Sequence, residues 1–237
     1  DAGKTGFVFT IFSILITLIV GWFFGKRLGV DSKTSFLISS GTAICGGSAI
    51  AAVSPIVQAN EREMSVSLGT VFILNSIALL TFPLIGHLLN MNEHQFGLWA
   101  AVAIHDTSSV VGAASKYGHE SLQVATTVKL ARALYIIPLS LITAYFYKSG
   151  SSKIKIPYFI GLFILAMLIG TYLPAFASYY TVLVLIAKKG LTITLFLIGS
   201  SLSIQKLKAV GVRPLLQGVL LWIFICLISL MSVYYFA

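Results

Sequence analysis

The apolar span Phe36–Val57 is interrupted at its centre by Gly41-Thr42-Ala43-Ile44-Cys45-Gly46-Gly47-Ser48-Ala49, a run of small, hydroxylated and helix-weakening residues. The interruption falls at the depth where a bilayer is driest. Two successive glycines release backbone N–H and C=O groups from the helical ladder, and hydrocarbon tolerates such groups only where protein or a wet cavity surrounds them. A simple membrane anchor has no use for this construction. Interrupted helices at mid-depth recur in secondary transporters, where half-helix ends offer partial charges to ions and substrates.

Hydrophobic residues make up 57% of the 237, charged residues 10%, and the mean hydropathy is +0.96. A soluble domain with a polar surface does not sustain these values, so the expected fold class is an all-α polytopic membrane protein. Windows of about 20 apolar residues give eight candidate transmembrane helices: Gly6–Phe24, Phe36–Val57, Val66–Leu88, Phe96–Ala114, Val124–Tyr147, Pro157–Phe176, Tyr179–Leu202 and Val212–Tyr235. The first is a poor signal peptide, because Asp1 and Lys4 precede it and no A-x-A-like site follows.

The net charge of +9 sorts by loop. With eight spans, Lys26, Arg27, Lys33, Lys148, Lys153, Lys155, Lys206, Lys208 and Arg213 share one side, while Lys4, Arg62 and Lys116 share the other. The excess marks the first side as cytoplasmic and both ends of the chain as external, with membrane lipids as partners of the basic loops. Nucleic acid is not an expected partner. Cys45 and Cys226 stand alone in apolar spans, far from any C-x-x-C spacing, so no metal site and no cofactor are expected.

A second interruption, Ala187-Lys188-Lys189-Gly190-Leu191-Thr192, lies in the seventh span. Two ammonium groups at that depth must face protein or water, or the helix must break. Interrupted second and seventh spans, each followed by a continuous one, suggest two five-helix repeats of opposite orientation. The eight spans then parse as an N-terminally incomplete five-plus-five inverted repeat within one transporter domain, 1–90 forming a partial first repeat and 91–237 the second.

Asp106 is the one acidic residue well inside a span. Its expected partners are His105 and the Lys129, Arg132 pair, whose i,i+3 spacing puts both cations on one helix face. A buried ion pair that fixes the core and a cation or proton site are equally open readings of Asp106. The unperturbed pKa of a histidine, about 6.5, suits His105 to proton coupling, and a neutral histidine bonded across helices is the plainer alternative. Thr107, Ser108 and Ser109 add hydroxyls that suit a cavity wall or ordinary helix–helix bonding. Thr42, Cys45, Gly46, Gly47 and Ser48 at the first break, with Lys188, Lys189 and Arg132, are the candidate substrate-binding residues, and their donors and charges favour an anion. Snorkelling toward an interface is the alternative for the two lysines. Asp106, His105, Thr107 and Ser108 are the candidates for coupling to H+ or Na+. No catalytic motif such as H-E-x-x-H is present, so an enzyme is not expected.

Three segments, Gly41–Ala52, Ala103–Val111 and Val128–Arg132, resemble signatures of the YeiH family, bacterial inner-membrane proteins linked with sulfate export, and the resemblance extends over essentially the whole chain. It implies further N-terminal helices, a core with two crossed, broken helices, and an architecture similar to bile-acid sodium symporters and sodium/proton antiporters. A secondary transporter for a small anion in the bacterial inner membrane is the leading expectation. An ion channel, a sodium- or proton-coupled carrier of another organic anion and, less favoured, an intramembrane enzyme are the alternatives, and a homodimer is left open.

Overall fold

Why the second span breaks is visible in its backbone. The computed structural model describes residues 2–147, 158–172, 182–187, 189, 190, 193, 196 and 210–236. Helix α1 runs Ala2–Leu28, and α2, Ser32–Ala43, starts at Asp31, whose carboxylate accepts from the Thr34 N–H at 2.9 Å. At Gly46 the chain takes φ +66°, a left-handed value that glycine adopts without steric cost, and the Gly46 N–H reaches back to the Gly41 carbonyl at 2.8 Å. Helix α3, Gly47–Val53, then returns alongside α2. A Cβ on Gly41 would lie 2.9 Å from Ile50 Cδ1 and 3.3 Å from the Gly46 carbonyl oxygen, so the glycine lets α3 return closely against α2. Lys33 at the start of α2 donates to the Gln58 carbonyl beyond α3 at 2.8 Å. Both arms therefore open at the same end of the molecule, the near end, where α1 finishes.

Helix α4, Glu61–Leu88, begins with a reciprocal capping box between Asn60 and Glu63. It starts at the near end, since Ser67 lies beside the Thr34 carbonyl, and its 28 residues extend about 42 Å, enough to reach the far end. A second capping box, Asn92 with Gln95, opens α5, Glu93–Ala103. The chain breaks at residues 104–106 and returns as α6, Thr107–Tyr117. Phe96 stacks on Tyr117 with ring centroids 3.8 Å apart, and the Tyr117 hydroxyl donates to the Met91 carbonyl. This is a second helical hairpin, opening at the far end.

Helices α7, His119–Ala133, and α8, Ile136–Phe146, follow. Pro138 has no N–H to give the Leu134 carbonyl, which instead accepts from Ile137 at 3.2 Å, so the ladder tightens between α7 and α8 without changing course. Helix α9 covers Tyr158–Tyr172, and α10, Val212–Phe236, runs past both hairpins. Its Gln217 donates to Ser35 Oγ at 2.8 Å and to the Gly21 carbonyl at 3.0 Å, while Trp222 donates to the Ala103 carbonyl at 3.0 Å.

Among the described residues four helices are long and apolar enough to cross a membrane, Thr10–Leu28, Glu61–Leu88, His119–Phe146 and Val212–Tyr235. They surround two hairpins whose buried faces form two cores, one around Ile44, Ile50 and Val71 and one around Phe82, Phe96 and Trp99. Phe36–Val57 and Phe96–Ala114, expected as crossing spans, are instead hairpins, because each carries a break that turns the chain back. Two returns cancel, so α7 and α8 run in the expected direction, while Arg62 moves to the near end and the turn after α4 to the far end. Trp99 is buried against Phe82 with centroids 4.2 Å apart. The Gly21-x-x-x-Gly25 face packs within the chain, with any Cβ there falling onto Ser39 and Ser35.

Candidate functional site

The hairpin tips meet. A Cβ placed on Gly46 would lie 3.3 Å from the His105 carbonyl oxygen and 3.4 Å from Asp106 Cβ, so the first break rests directly on the second. The meeting point is at mid-depth, since Asn75, near the middle of α4, accepts the His105 backbone N–H at 2.9 Å. Arg132 lies near the middle of the His119–Phe146 span.

Each tip exposes helix ends to low dielectric, and charged side chains answer them. Lys129, fully buried, donates to the Ile104 carbonyl at 2.6 Å and to the Ala101 carbonyl at 3.3 Å. Arg132, also buried, donates to the Ala43 carbonyl at 2.5 Å and to Ser13 Oγ at 3.5 Å. One helix thus places a cation at the carbonyl end of α2 and another at the carbonyl end of α5, where the last C=O groups lack intrahelical partners and the dipole is negative. Asp106 is the N-cap of α6, with Oδ1 accepting from Ser109 N–H at 3.1 Å. The start of α3 at Gly46 has no side-chain cap.

These placements correct one expectation. Asp106 does not pair with Lys129 or Arg132: among the described residues neither cation has a carboxylate within 4.0 Å, and the ion pair found is His94 with Glu120 at 3.4 Å, well exposed. Helix ends, rather than opposite side chains, hold the three charges. Of the other candidates, Thr42 and Cys45 are buried in the first tip, Gly47 is half-buried and Ser48 exposed. Thr107 and Ser108 are half-buried on α6. Lys189 is exposed within a helical stretch, Lys188 lies outside the described residues, and so does part of the expected second break at 187–192.

The tips also hold buried polar atoms with no hydrogen-bond partner among the described residues: both ring nitrogens of His105, Nδ2 of Asn75, Oγ1 of Thr42, Oγ of Ser40 and Nε of Arg132. Such groups are costly to bury unmet, and their concentration here marks a polar centre within an apolar molecule. Among the described residues no three His, Cys, Asp or Glu side chains group as metal ligands do. Sequence reasoning weighed Lys129 as a partner of Asp106 or a cation for an anion and missed its place at the carbonyls that end α5; it also missed Trp222. The available signal was an excess of in-span cations over in-span acids, which implies carbonyl partners.

A sequence model of the family described as Conserved hypothetical protein 698 matches residues 1–218. A UPF0324 membrane protein of Bacteroides thetaiotaomicron is 57% identical, over 99% of this chain and 72% of its own length. Similar matches are UPF0324 membrane proteins of Photobacterium profundum, 55% identical over 94% of this chain and 68% of the relative, and of Porphyromonas gingivalis, 54% identical over 97% and 71%. No solved structure matches the chain. The segments that resemble the YeiH family all lie within the matched residues, and the chain belongs to the Conserved hypothetical protein 698 family of all-α membrane proteins.

Proposed function

We propose that this protein is a secondary active transporter that moves a small anion, sulfate or a related oxyanion or sulfonate, across the bacterial inner membrane by alternating access. The observation that carries the reading is the contact of two hairpins, opening at opposite ends, at mid-depth. Such a junction puts non-helical backbone where only protein or a wet cavity tolerates it, and it divides a path from one face from a path to the other. Among the described residues two buried cations, Lys129 and Arg132, stand against one buried carboxylate, Asp106, an excess that favours a negatively charged passenger. Lys26, Arg27, Lys33, Arg62 and Arg213 at the near end against Lys4 and Lys116 at the far end support a cytoplasmic near end. In this reading Ser48, Gly47, Thr107 and Ser108 form the accessible rim of the site. In the same reading Asp106 and His105, between the tips, couple transport to H+ or Na+.

Counterflow of labelled sulfate in proteoliposomes containing the full-length protein tests the proposal, with Asp106→Asn and Arg132→Gln as matched variants. Saturable exchange lost in both variants is expected. Folded protein that exchanges neither sulfate nor any other small anion removes the anion-carrier reading.

A further inference from the structure

At the near end α1 and α2 leave an open groove of about 210 Å3 whose lining changes along its length. Leu18, Trp22 and Phe36 make an apolar trough, and Val30, Lys26 and Ser32 make its mouth. From Leu18 to Lys26 the trough follows α1 for about 12 Å, the length of a partial acyl chain. Trp22 is 63% exposed, and the Lys26 ammonium stands 5.3 Å from its ring centroid, so a charged head is held directly above an apolar floor.

The mouth carries unbalanced positive charge. Among the described residues Lys26, Arg27 and Arg213 have no carboxylate within 4.0 Å, and Asp31, the acid of this loop, already caps the Thr34 N–H. Arg213 reaches to within 3.4 Å of where a Cβ on Gly29 would sit, so α10 adds its guanidinium to the same turn. Lys33 is directed away, onto the Gln58 carbonyl.

We infer that this groove is a binding site for an anionic phospholipid of the near-end leaflet. One acyl chain lies along Leu18, Trp22 and Phe36, and the phosphate sits at Lys26 and Ser32 with Arg27 and Arg213 flanking it. The charge at the mouth selects an anionic headgroup over a zwitterionic one, and the apolar floor selects a lipid over free phosphate. The inference stands independently of the transport reading.

Brominated lipids quench tryptophan on contact, so the test is the fluorescence of the full chain in nanodiscs containing dibrominated phosphatidylglycerol or dibrominated phosphatidylcholine at graded mole fractions. The Trp22 contribution is the difference between wild type and Trp22→Phe. Half-quenching is expected at a mole fraction of the anionic lipid at least about fivefold lower, the effect of one lysine near an anionic headgroup, and Lys26→Gln should move the anionic curve about fivefold toward the zwitterionic one, with Arg27 and Arg213 keeping the remainder. Equal curves for both lipids in the wild type reduce the groove to ordinary lipid contact and overturn the site. No quenching of Trp22 by either lipid shows the groove covered by protein and overturns it as well, and a preference untouched by Lys26→Gln removes the assigned headgroup contact.

Discussion

Replacing Lys129 by methionine keeps the length of the side chain and removes its charge and donors. Two carbonyls, Ile104 and Ala101, then lose the ammonium that meets them at 2.6 and 3.3 Å in a site closed to water. A buried acceptor left unmet costs about 1–3 kcal/mol, and loss of a cation at a helix C-terminus adds about 0.3–1 kcal/mol. Relief of the desolvation carried by a buried ammonium offsets part of this, which is why an apolar replacement is milder than the bonds alone suggest. The net expectation is a loss of about 3 kcal/mol, roughly a 150-fold rise in the unfolding constant. Equilibrium unfolding of purified protein in mixed micelles reads it directly, with Lys116→Met, an exposed lysine at the end of α6, as the control expected to stay within about 0.5 kcal/mol. Stability of Lys129→Met equal to wild type would refute the capping argument and return Lys129 to the pool of free charges.

Gly46→Leu combines an unfavourable left-handed backbone with a side chain aimed at the His105 carbonyl and Val71, so the tips must part; transport should fall below a tenth of wild type, checked by counterflow. Asp106→Asn retains a side-chain acceptor for the Ser109 N–H, so stability should change by less than about 1 kcal/mol while ion-coupled flux is lost, which separates the cap from the coupling role. Glu93→Gln weakens the carboxylate that accepts the Glu120 N–H at 2.8 Å and the Ser121 N–H at 3.3 Å; faster hydrogen exchange at the start of α7 is expected, with α4 unchanged.

The first break was legible because its cause is local. Glycines at 41, 46 and 47 leave no doubt that a helix ends there, and the membrane class follows from hydropathy alone. The second break was not legible in the same way. Ala103-Ile104-His105-Asp106 contains neither glycine nor proline, and its one cue is Asp106 three residues before Ser109, an N-cap pattern hidden within an apolar run. Whether an interrupted helix continues or returns is also not a local property. It is decided by contacts distant in sequence, such as Lys33 with Gln58 and Phe96 with Tyr117, that no periodicity records. The same holds for Lys129 and Arg132: spacing places them on one face, but their carbonyl partners lie on α5 and α2.

Sidedness of four surface positions tests the two-hairpin arrangement most directly. Single cysteines at Lys26, Arg62, His94 and Lys116 are read with a membrane-impermeant maleimide in intact cells and in inverted vesicles, against Cys45, buried, and Cys226, only partly exposed, as background. The account predicts that Lys26→Cys and Arg62→Cys label from one face and that His94→Cys and Lys116→Cys both label from the other. Labelling of Lys26→Cys and Arg62→Cys from opposite faces, or of His94→Cys and Lys116→Cys from opposite faces, would mean that the interrupted helices cross the membrane and would contradict the account.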